Sequence, residues 1–308
     1  MPTIIDLYSH LRMATRMRSA FFIVSSMCFF CIAPLVSTCA TVPVLDDSAS
    51  TKIDPTAPVE LKLDVIKSKF DTGLVDYTFS GHTFKAQWSR CTANEKGSFV
   101  VIFHGSESLP IGDLLCGNWA SQVVLKHGFN VIAVSRPSFL GSTGIADFAG
   151  PQSVAANVAG IAAAAAARPV TGYWGVEEGV IAAAFTAKVS KNVNWLLLGN
   201  GFYDLENVER STKNESIKLA IQNQKKIEGD VALERRSIAW DSSNLPKIIS
   251  LYHTTVNDDA QKTQADAFND RLRTAQTKVY FDEVVGSKSD MTWQVHYQIV
   301  DNALKNLK

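Results

Sequence analysis

Hydrophobic and polar positions change their spacing along the chain, and these changes predict a sheet with helices packed on it. Residues 59–65 alternate between apolar and polar with a period of two, which is typical of a half-buried strand. Residues 75–79 and 83–88 predict a hairpin that turns at Gly81. The run 98–103 is continuously apolar, as expected for a strand covered on both faces.

Beyond residue 103, short apolar runs alternate with longer helical patterns. The predicted strands are 130–134, 170–174, 193–198, 248–252 and 278–284, and the predicted helices are 119–127, 153–167, 178–191, 260–273 and 293–307. Leading antiparallel strands followed by this alternation predict an α/β fold with a mostly parallel central sheet flanked by helices. Ligands of such sheets bind beyond the carboxyl ends of the strands, so we expect the functional residues there.

The first 40 residues predict an export signal and not a part of the fold. Three arginines between residues 12 and 18 precede an apolar run over 20–36, and small residues follow it. This order is typical of a secretory signal peptide. Cleavage after Ala40 would leave a secreted or periplasmic protein. Two alternatives are a lipoprotein acylated at Cys39, which follows a weak lipobox, and an uncleaved transmembrane anchor.

The mature chain is expected to consist of a leader and one domain. Residues 41–58 are rich in Pro, Ser, Thr and Asp, which is typical of a flexible segment, and the domain spans 59–308. An oxidising compartment would permit a bridge between Cys91 and Cys116. Because the strand 98–103 lies between them and would separate its ends by about 20 Å, we expect two free thiols.

The charge balance excludes several classes of partner. The chain has 30 Lys+Arg and 30 Asp+Glu, so it lacks the basic footprint that nucleic-acid binding needs. Once the signal peptide is cleaved, the membrane would be reached only through a lipid on Cys39. The sequence has no Cys/His spacing typical of zinc, no phosphate-binding Walker loop and no Gly-x-Gly-x-x-Gly after a strand, so we expect neither a metal nor a cofactor.

Four predicted strands end in segments that could carry chemistry. In chain order these are His104-Gly105-Ser106, Arg136-Pro137 followed by Gly141-Ser142-x-Gly144, Gly175-Val176-Glu177-Glu178-Gly179, and His253 through Asp259. The third segment, with its acid between two glycines at a strand-to-helix junction, has the spacing of a nucleophile elbow.

Together these segments resemble the α/β-hydrolase superfamily, in particular the bacterial dienelactone-hydrolase and prolyl-oligopeptidase type. The resemblance implies a nucleophile, an acid and a histidine in that order, at Glu177, at Asp258 with Asp259 as the alternative, and at His296. A packing histidine on the last helix is the other interpretation of His296. The segment 204–240 falls where this family inserts a cap over its site.

The resemblance also implies an oxyanion site formed by backbone N–H groups, with Gly105, Ser106 and Glu178 as the candidates. The alternative for the His104-Gly105 pair is an ordinary tight turn. The family acts on ester or amide bonds, so the expected partner is a small-molecule or acyl substrate.

The elbow departs from the family because Glu177 stands where the family has Ser. Three interpretations follow. Glu177 could itself be the nucleophile, as Asp is in haloalkane dehalogenases and epoxide hydrolases of this fold. The protein could instead be a non-catalytic binding or structural member. Hydrolysis could also persist through another group, with Glu177 as general base or with Ser106 or Ser138 as nucleophile.

Overall fold

The computed structural model describes residues 50–55, 65–103, 115–190, 192–229, 237–238, 241–256, 261–287 and 290–307. Within these ranges the strands are β1 (Ser50–Ile53), β2 (Lys69–Phe79), β3 (His82–Thr92), β4 (Phe99–Phe103), β5 (Asn130–Val134), β6 (Val170–Val176), β7 (Trp195–Gly199), β8 (Ile248–Thr254) and β9 (Lys278–Val284). The helices are α1 (Trp119–Lys126), α2 (Pro151–Ala165), α3 (Gly179–Val189), α4 (Leu205–Ser211), α5 (Glu215–Glu228), α6 (Gln261–Thr274) and α7 (Trp293–Asn306).

The strands form one sheet of nine strands in the order β1-β9-β8-β7-β6-β4-β5-β3-β2. Neighbouring strands in the part β1-β9-β8-β7-β6-β4-β5 of this order all pair in parallel. Strand β3 pairs antiparallel with both β5 and β2. The prediction of a mostly parallel sheet with leading antiparallel strands is therefore confirmed. The carboxyl ends of β4, β6 and β8 meet at one edge of the sheet.

The β2–β3 hairpin turns through two residues. Phe79 pairs with His82, and the intervening Ser80 and Gly81 both have positive φ, 49° and 79°. Two positive φ values define the turn whose twist matches that of the flanking strands, and glycine adopts this conformation without a steric penalty. This explains why the chain reverses direction at Gly81, as the sequence predicts.

The edge strand β1 corrects part of the prediction for the leader. Residues 50–53 were expected to be flexible, but they pair in parallel with 281–284 of β9, and the N–H of Val285 donates to the carbonyl of Ile53 at 2.9 Å. An edge strand is held by hydrogen bonds between backbone groups, so the mostly polar side chains of β1 carry no apolar pattern that would predict it. The predicted strand 59–65 lies, except for Val65, outside the described residues.

The sheet separates two apolar cores. On one face, α1 and α7 pack through residues such as Val124, Ile299 and Val300. On the other face, α2, α3 and α6 pack through residues such as Ile181 and Phe268. Both faces of β4, β5 and β7 are buried along their whole length, which explains their unbroken apolar sequences.

The segment 204–240 forms α4 and α5 in the part that the structure describes. The side chain of Asp204 accepts a hydrogen bond from the N–H of Asn207 at 3.1 Å and caps α4. Gln224 of α5 is buried and donates to the carbonyl of Ala146 at 3.1 Å. This contact joins the segment to the loop that follows β5.

The cysteines are joined, which corrects the prediction of free thiols. Cys91 and Cys116 form a disulfide with their Cα atoms 5.5 Å apart. The length of β4 does not keep the two cysteines apart, because Cys116, just before α1, packs against the core that contains Cys91.

The described residues belong to one compact unit, Ser48–Lys308. Among the helices described, none is both long enough and apolar enough to cross a membrane. The predicted signal segment, residues 1–40, lies outside the described residues.

Gly175 of β6 lies directly against the start of α3. A Cβ at this position would lie 2.5 Å from the carbonyl oxygen of Gly179 and 2.8 Å from the Cα of Val180. Both are backbone atoms, which cannot move aside as a flexible side chain can. The strand-to-helix turn therefore requires glycine at residue 175.

We expect loss of the disulfide to destabilise the protein. The bridge joins residues 25 positions apart, and restricting the unfolded chain over such a loop contributes about 3 kcal/mol. Urea unfolding of Cys91→Ala/Cys116→Ala should show this loss. Reductant should lower the unfolding free energy of the wild type by a similar amount and leave that of the double variant unchanged; equal responses of both proteins would contradict the prediction.

Gly175→Ala should lower the free energy of unfolding by about 2 kcal/mol or more, because the new methyl group overlaps backbone atoms. The matched control is Gly117→Ala, since a Cβ at residue 117 would have no heavy atom within 4 Å. Urea unfolding of both variants measures the difference. Equal unfolding free energies of the two variants would mean that the contact between β6 and α3 leaves room for a side chain at residue 175.

Candidate functional site

Glu177 occupies the sharp turn between β6 and α3. Its φ is 54°, a left-handed conformation that non-glycine residues rarely adopt and that costs on the order of 1–3 kcal/mol. The backbone is held on both sides, since the N–H of Glu177 donates to the carbonyl of Gly199 at 3.0 Å and the N–H of Val180 donates to the carbonyl of Glu177 at 3.2 Å. The turn thus has the strained conformation expected of a nucleophile elbow.

Tyr252 of β8 is the residue on which the site converges. Its ring packs against Gly199, where a Cβ would lie 1.9 Å from the tyrosine ring. Its hydroxyl accepts a hydrogen bond from Nε1 of Trp174 at 3.3 Å. Burial, and secondarily the charge of Glu177, raise the pKa of Tyr252 far above its ordinary value. The phenol is therefore neutral and can donate its own proton.

His296 lies in the first turn of α7. Thr292 caps this helix by accepting a hydrogen bond from the N–H of Val295. The imidazole packs beside the rings of Trp119 and Tyr252, with centroid distances of 5.8 and 5.6 Å. Burial lowers the pKa of His296 from 6.5 to about 4, so the ring is neutral at pH 7.

The ring nitrogen Nδ1 of His296 lies 3.2 Å from the hydroxyl of Tyr252. Because the Trp174 N–H can only donate, the hydroxyl oxygen of Tyr252 accepts a hydrogen bond from it. The Tyr252 O–H is then free to donate a hydrogen bond to Nδ1 of His296. In a serine hydrolase, Nδ1 carries a proton and binds the acid, which stabilises the charged imidazole. A neutral phenol in this place offers no negative charge that would stabilise a charged imidazole.

The structure describes only some of the predicted site residues. Of these, His296 lies within hydrogen-bond distance of Tyr252, and the charge of Glu177 contributes to the raised pKa of Tyr252. The other predicted residues of the trio and of the oxyanion site, namely Gly105, Ser106, Asp258 and the alternative Asp259, lie outside the described residues.

Glu178 was predicted to contribute its backbone N–H to an oxyanion site. It is the N-cap residue of α3, with φ −60° and ψ −29°, which places it directly after the elbow. Its carboxylate accepts a hydrogen bond from Nη1 of Arg136 at 2.8 Å. This ion pair joins the elbow to the loop that follows β5.

A small cavity lies beside the elbow, between the ends of β4 and β5 and the start of α3. Its volume is about 20 Å³, room for about one water molecule. Arg136, Glu178, Ser153 and Asn157 provide its polar lining. A wider, open depression of about 730 Å³ lies at the opposite edge of the sheet, near Lys247 and Thr277, and does not include the elbow.

Ser138, the alternative nucleophile that the structure describes, is exposed and donates its hydroxyl to the carbonyl of Gly144 at 2.7 Å. Ser106 lies outside the described residues.

The sequence reasoning missed Tyr252 and the two tryptophans of the site, Trp119 and Trp174. Each belongs to a predicted element, at the end of a strand or at the start of a helix. Aromatic residues in such elements are typical of a core, so their presence did not indicate a role in the site. Only the alternation of side chains across β8, which directs Tyr252 toward the α7 face, could have indicated its role.

Comparison with known proteins finds likeness only in structure. No protein-family model and no curated protein matches the chain. An esterase of Pyrococcus furiosus superposes with a TM-score of 0.60 and 15% identity, over 77% of this chain and 90% of the esterase. Carboxyl esterase 2 of the fungus Tuber melanosporum gives 0.56 and 14%, over 84% and 91%.

Acylaminoacyl peptidase of Pyrococcus horikoshii gives a TM-score of 0.57 and 13% identity, over 78% of this chain and 41% of the peptidase. At these identities the likeness establishes the fold alone. Together with the mostly parallel sheet and the strained turn after β6, it shows that this chain has the α/β-hydrolase fold.

Proposed function

We propose that this chain is an exported protein of the α/β-hydrolase fold whose elbow site has lost the serine mechanism and binds a small-molecule or acyl ligand without turning it over. The contact between Nδ1 of His296 and the Tyr252 hydroxyl carries this proposal. It occupies the nitrogen that the acid of a catalytic trio would bind.

Two chemical requirements of acyl transfer are missing from Glu177 and His296. A carboxylate at residue 177 is acceptor-only when ionised and gives no alkoxide to attack a carbonyl. A general base works best with a pKa near the operating pH, whereas the pKa of His296 is about 4. The neutral imidazole is therefore a weak base for deprotonating a hydroxyl or water.

The site suits a ligand that donates hydrogen bonds. The Glu177 carboxylate accepts hydrogen bonds and attracts positive charge, whereas an ester offers only acceptors. The structural neighbours include esterases and an acylaminoacyl peptidase. We therefore favour an acylated amine or amino compound as the ligand.

Export is supported by two independent features. The predicted signal peptide, residues 1–40, would direct the chain out of the cytoplasm. The disulfide between Cys91 and Cys116 is of the kind that persists in oxidising compartments.

Hydrolysis through the carboxylate is the second candidate function. The observation that favours it is the φ of 54° at Glu177, because strained conformations cluster at functional sites. In this case Glu177 would act as the nucleophile or as a general base on water.

We expect no hydrolysis of short-chain chromogenic esters and anilides above the background rate by the wild type, and no change in Glu177→Gln. Glu177→Ser should stay inert as well, because His296 is a weak base. Binding of simple amides with the same acyl groups should change the fluorescence of Trp119 and Trp174 in the wild type. It should not do so in Glu177→Gln. Glu206→Gln, at an exposed carboxylate of α4, is the matched control and should bind as the wild type does.

The outcomes separate the two functions. Wild-type turnover that Glu177→Gln abolishes would establish carboxylate chemistry and overturn the binding proposal. Turnover gained by Glu177→Ser would show that His296 remains a competent base.

The buried state of His296 should make the protein less stable in acid. Its pKa is about 4 in the folded protein and 6.5 as the ordinary value, so the unfolded chain takes up the proton first. Stability is then full above about pH 6.5 and falls as the pH drops toward 4. His296→Gln should show a smaller loss between about pH 7 and pH 4.5 in urea unfolding. The control is His82→Gln, at an exposed histidine. If the unfolding free energy of both variants depended on pH as that of the wild type does, His296 would not be the cause of the loss in acid.

A further inference from the structure

Three potential metal ligands meet at the carboxyl end of β8, on the face of the sheet that α6 covers. They are the imidazole of His253 on β8, the carboxylate of Asp266 on α6 and the carboxylate of Glu283 on β9. One ligand atom from each lies within 4.8 Å of the others. His253 contacts Phe281 of this face with a centroid distance of 4.9 Å, whereas the neighbouring Tyr252 faces α7. The cluster is therefore separate from the elbow site.

His253 has a buried nitrogen that no hydrogen bond accounts for. Its Nδ1 lies 2.5 Å from the carbonyl oxygen of Thr254; since a carbonyl only accepts, Nδ1 carries the proton. Its Nε2 is buried and has no hydrogen-bond partner within the described part of the chain. The side chain of His253 is only 1% exposed, and Nε2 faces Oδ1 of Asp266 at 3.8 Å, too far for a hydrogen bond.

The two carboxylates already gather around a positive charge. Nζ of Lys262 lies 3.0 Å from Asp266 and 3.2 Å from Glu283. The lysine side chain is 28% exposed and can turn toward solvent. The ammonium satisfies both carboxylates but, as a donor without contact to Nε2, leaves the histidine nitrogen unused.

We propose that His253, Asp266 and Glu283 bind a divalent transition-metal ion of the Zn²⁺ class, and that Lys262 is the internal cation that the metal displaces. One imidazole nitrogen and two carboxylate oxygens are ligands that zinc takes in proteins, at about 2.0–2.2 Å. Bonds of this length bring ligand atoms to about 4 Å or less, which the 44% exposed Asp266 can reach by a small rotation.

The charges and the coordination number both agree with such an ion. Two carboxylates balance its double charge once Lys262 has left. Three protein ligands leave a fourth position for water, as in open zinc sites. The hydrogen bond from Nδ1 to the Thr254 carbonyl fixes the tautomer with Nε2 free to coordinate.

Isothermal titration of the purified, non-reduced protein with Zn²⁺ tests the proposal. The wild type should bind at this site, and Asp266→Asn and His253→Gln should each weaken that binding by about tenfold or more. Lys262→Gln should strengthen it by about tenfold, because it removes the competing cation. His82→Gln, an exposed histidine outside the cluster, is the matched control and should bind as the wild type does.

Cobalt provides a second readout that does not depend on heat. Co²⁺ bound by the histidine and the carboxylates should give visible absorption bands that Asp266→Asn weakens. Asp266 is partly exposed, so this variant should fold even if His253→Gln does not, and circular dichroism checks both. The proposal is overturned if neither the wild type nor Lys262→Gln binds Zn²⁺, or if Asp266→Asn binds as tightly as the wild type.

Discussion

The close contact between β6 and α3 at Gly175 is the constraint on which the candidate site depends. Since α3 starts against the strand end, the chain has no room for a gradual turn, and Glu177 is held with φ of 54°. The strain is sustained by the buried packing of β6 and α3 on both sides. A carboxylate is thus presented at the carboxyl edge of the sheet, where proteins of this fold type bind ligands.

Tyr252 determines the surroundings of His296. Its ring fits only because residue 199 is glycine, and its hydroxyl then meets both Trp174 and His296. Burial lowers the pKa of His296 to about 4 and keeps the imidazole beside this phenol uncharged at pH 7. The binding function that we propose depends on this neutral histidine, which suits recognition of a ligand better than proton transfer.

Adjacent residues of β8 serve opposite faces of the sheet. Tyr252 belongs to the core with α7, whereas His253 contacts Phe281 in the core with α6. Because side chains alternate along a strand, two neighbouring positions reach two separate polar clusters. Events at the proposed metal site can thus be distinguished from events at the elbow, although both lie at the same edge.

The sequence alone determined the parallel sheet, the hairpin at Gly81 and the elbow at Glu177, because apolar periodicity and glycine positions depend on local geometry. The tertiary structure decided the rest. The disulfide depends on packing that brings Cys116 beside Cys91, and β1 depends on a backbone edge that β9 provides. The contacts of Tyr252 with His296, and of His253 with Asp266 and Glu283, join residues far apart in the chain. No spacing rule in the sequence encodes such contacts, since packing between elements creates them.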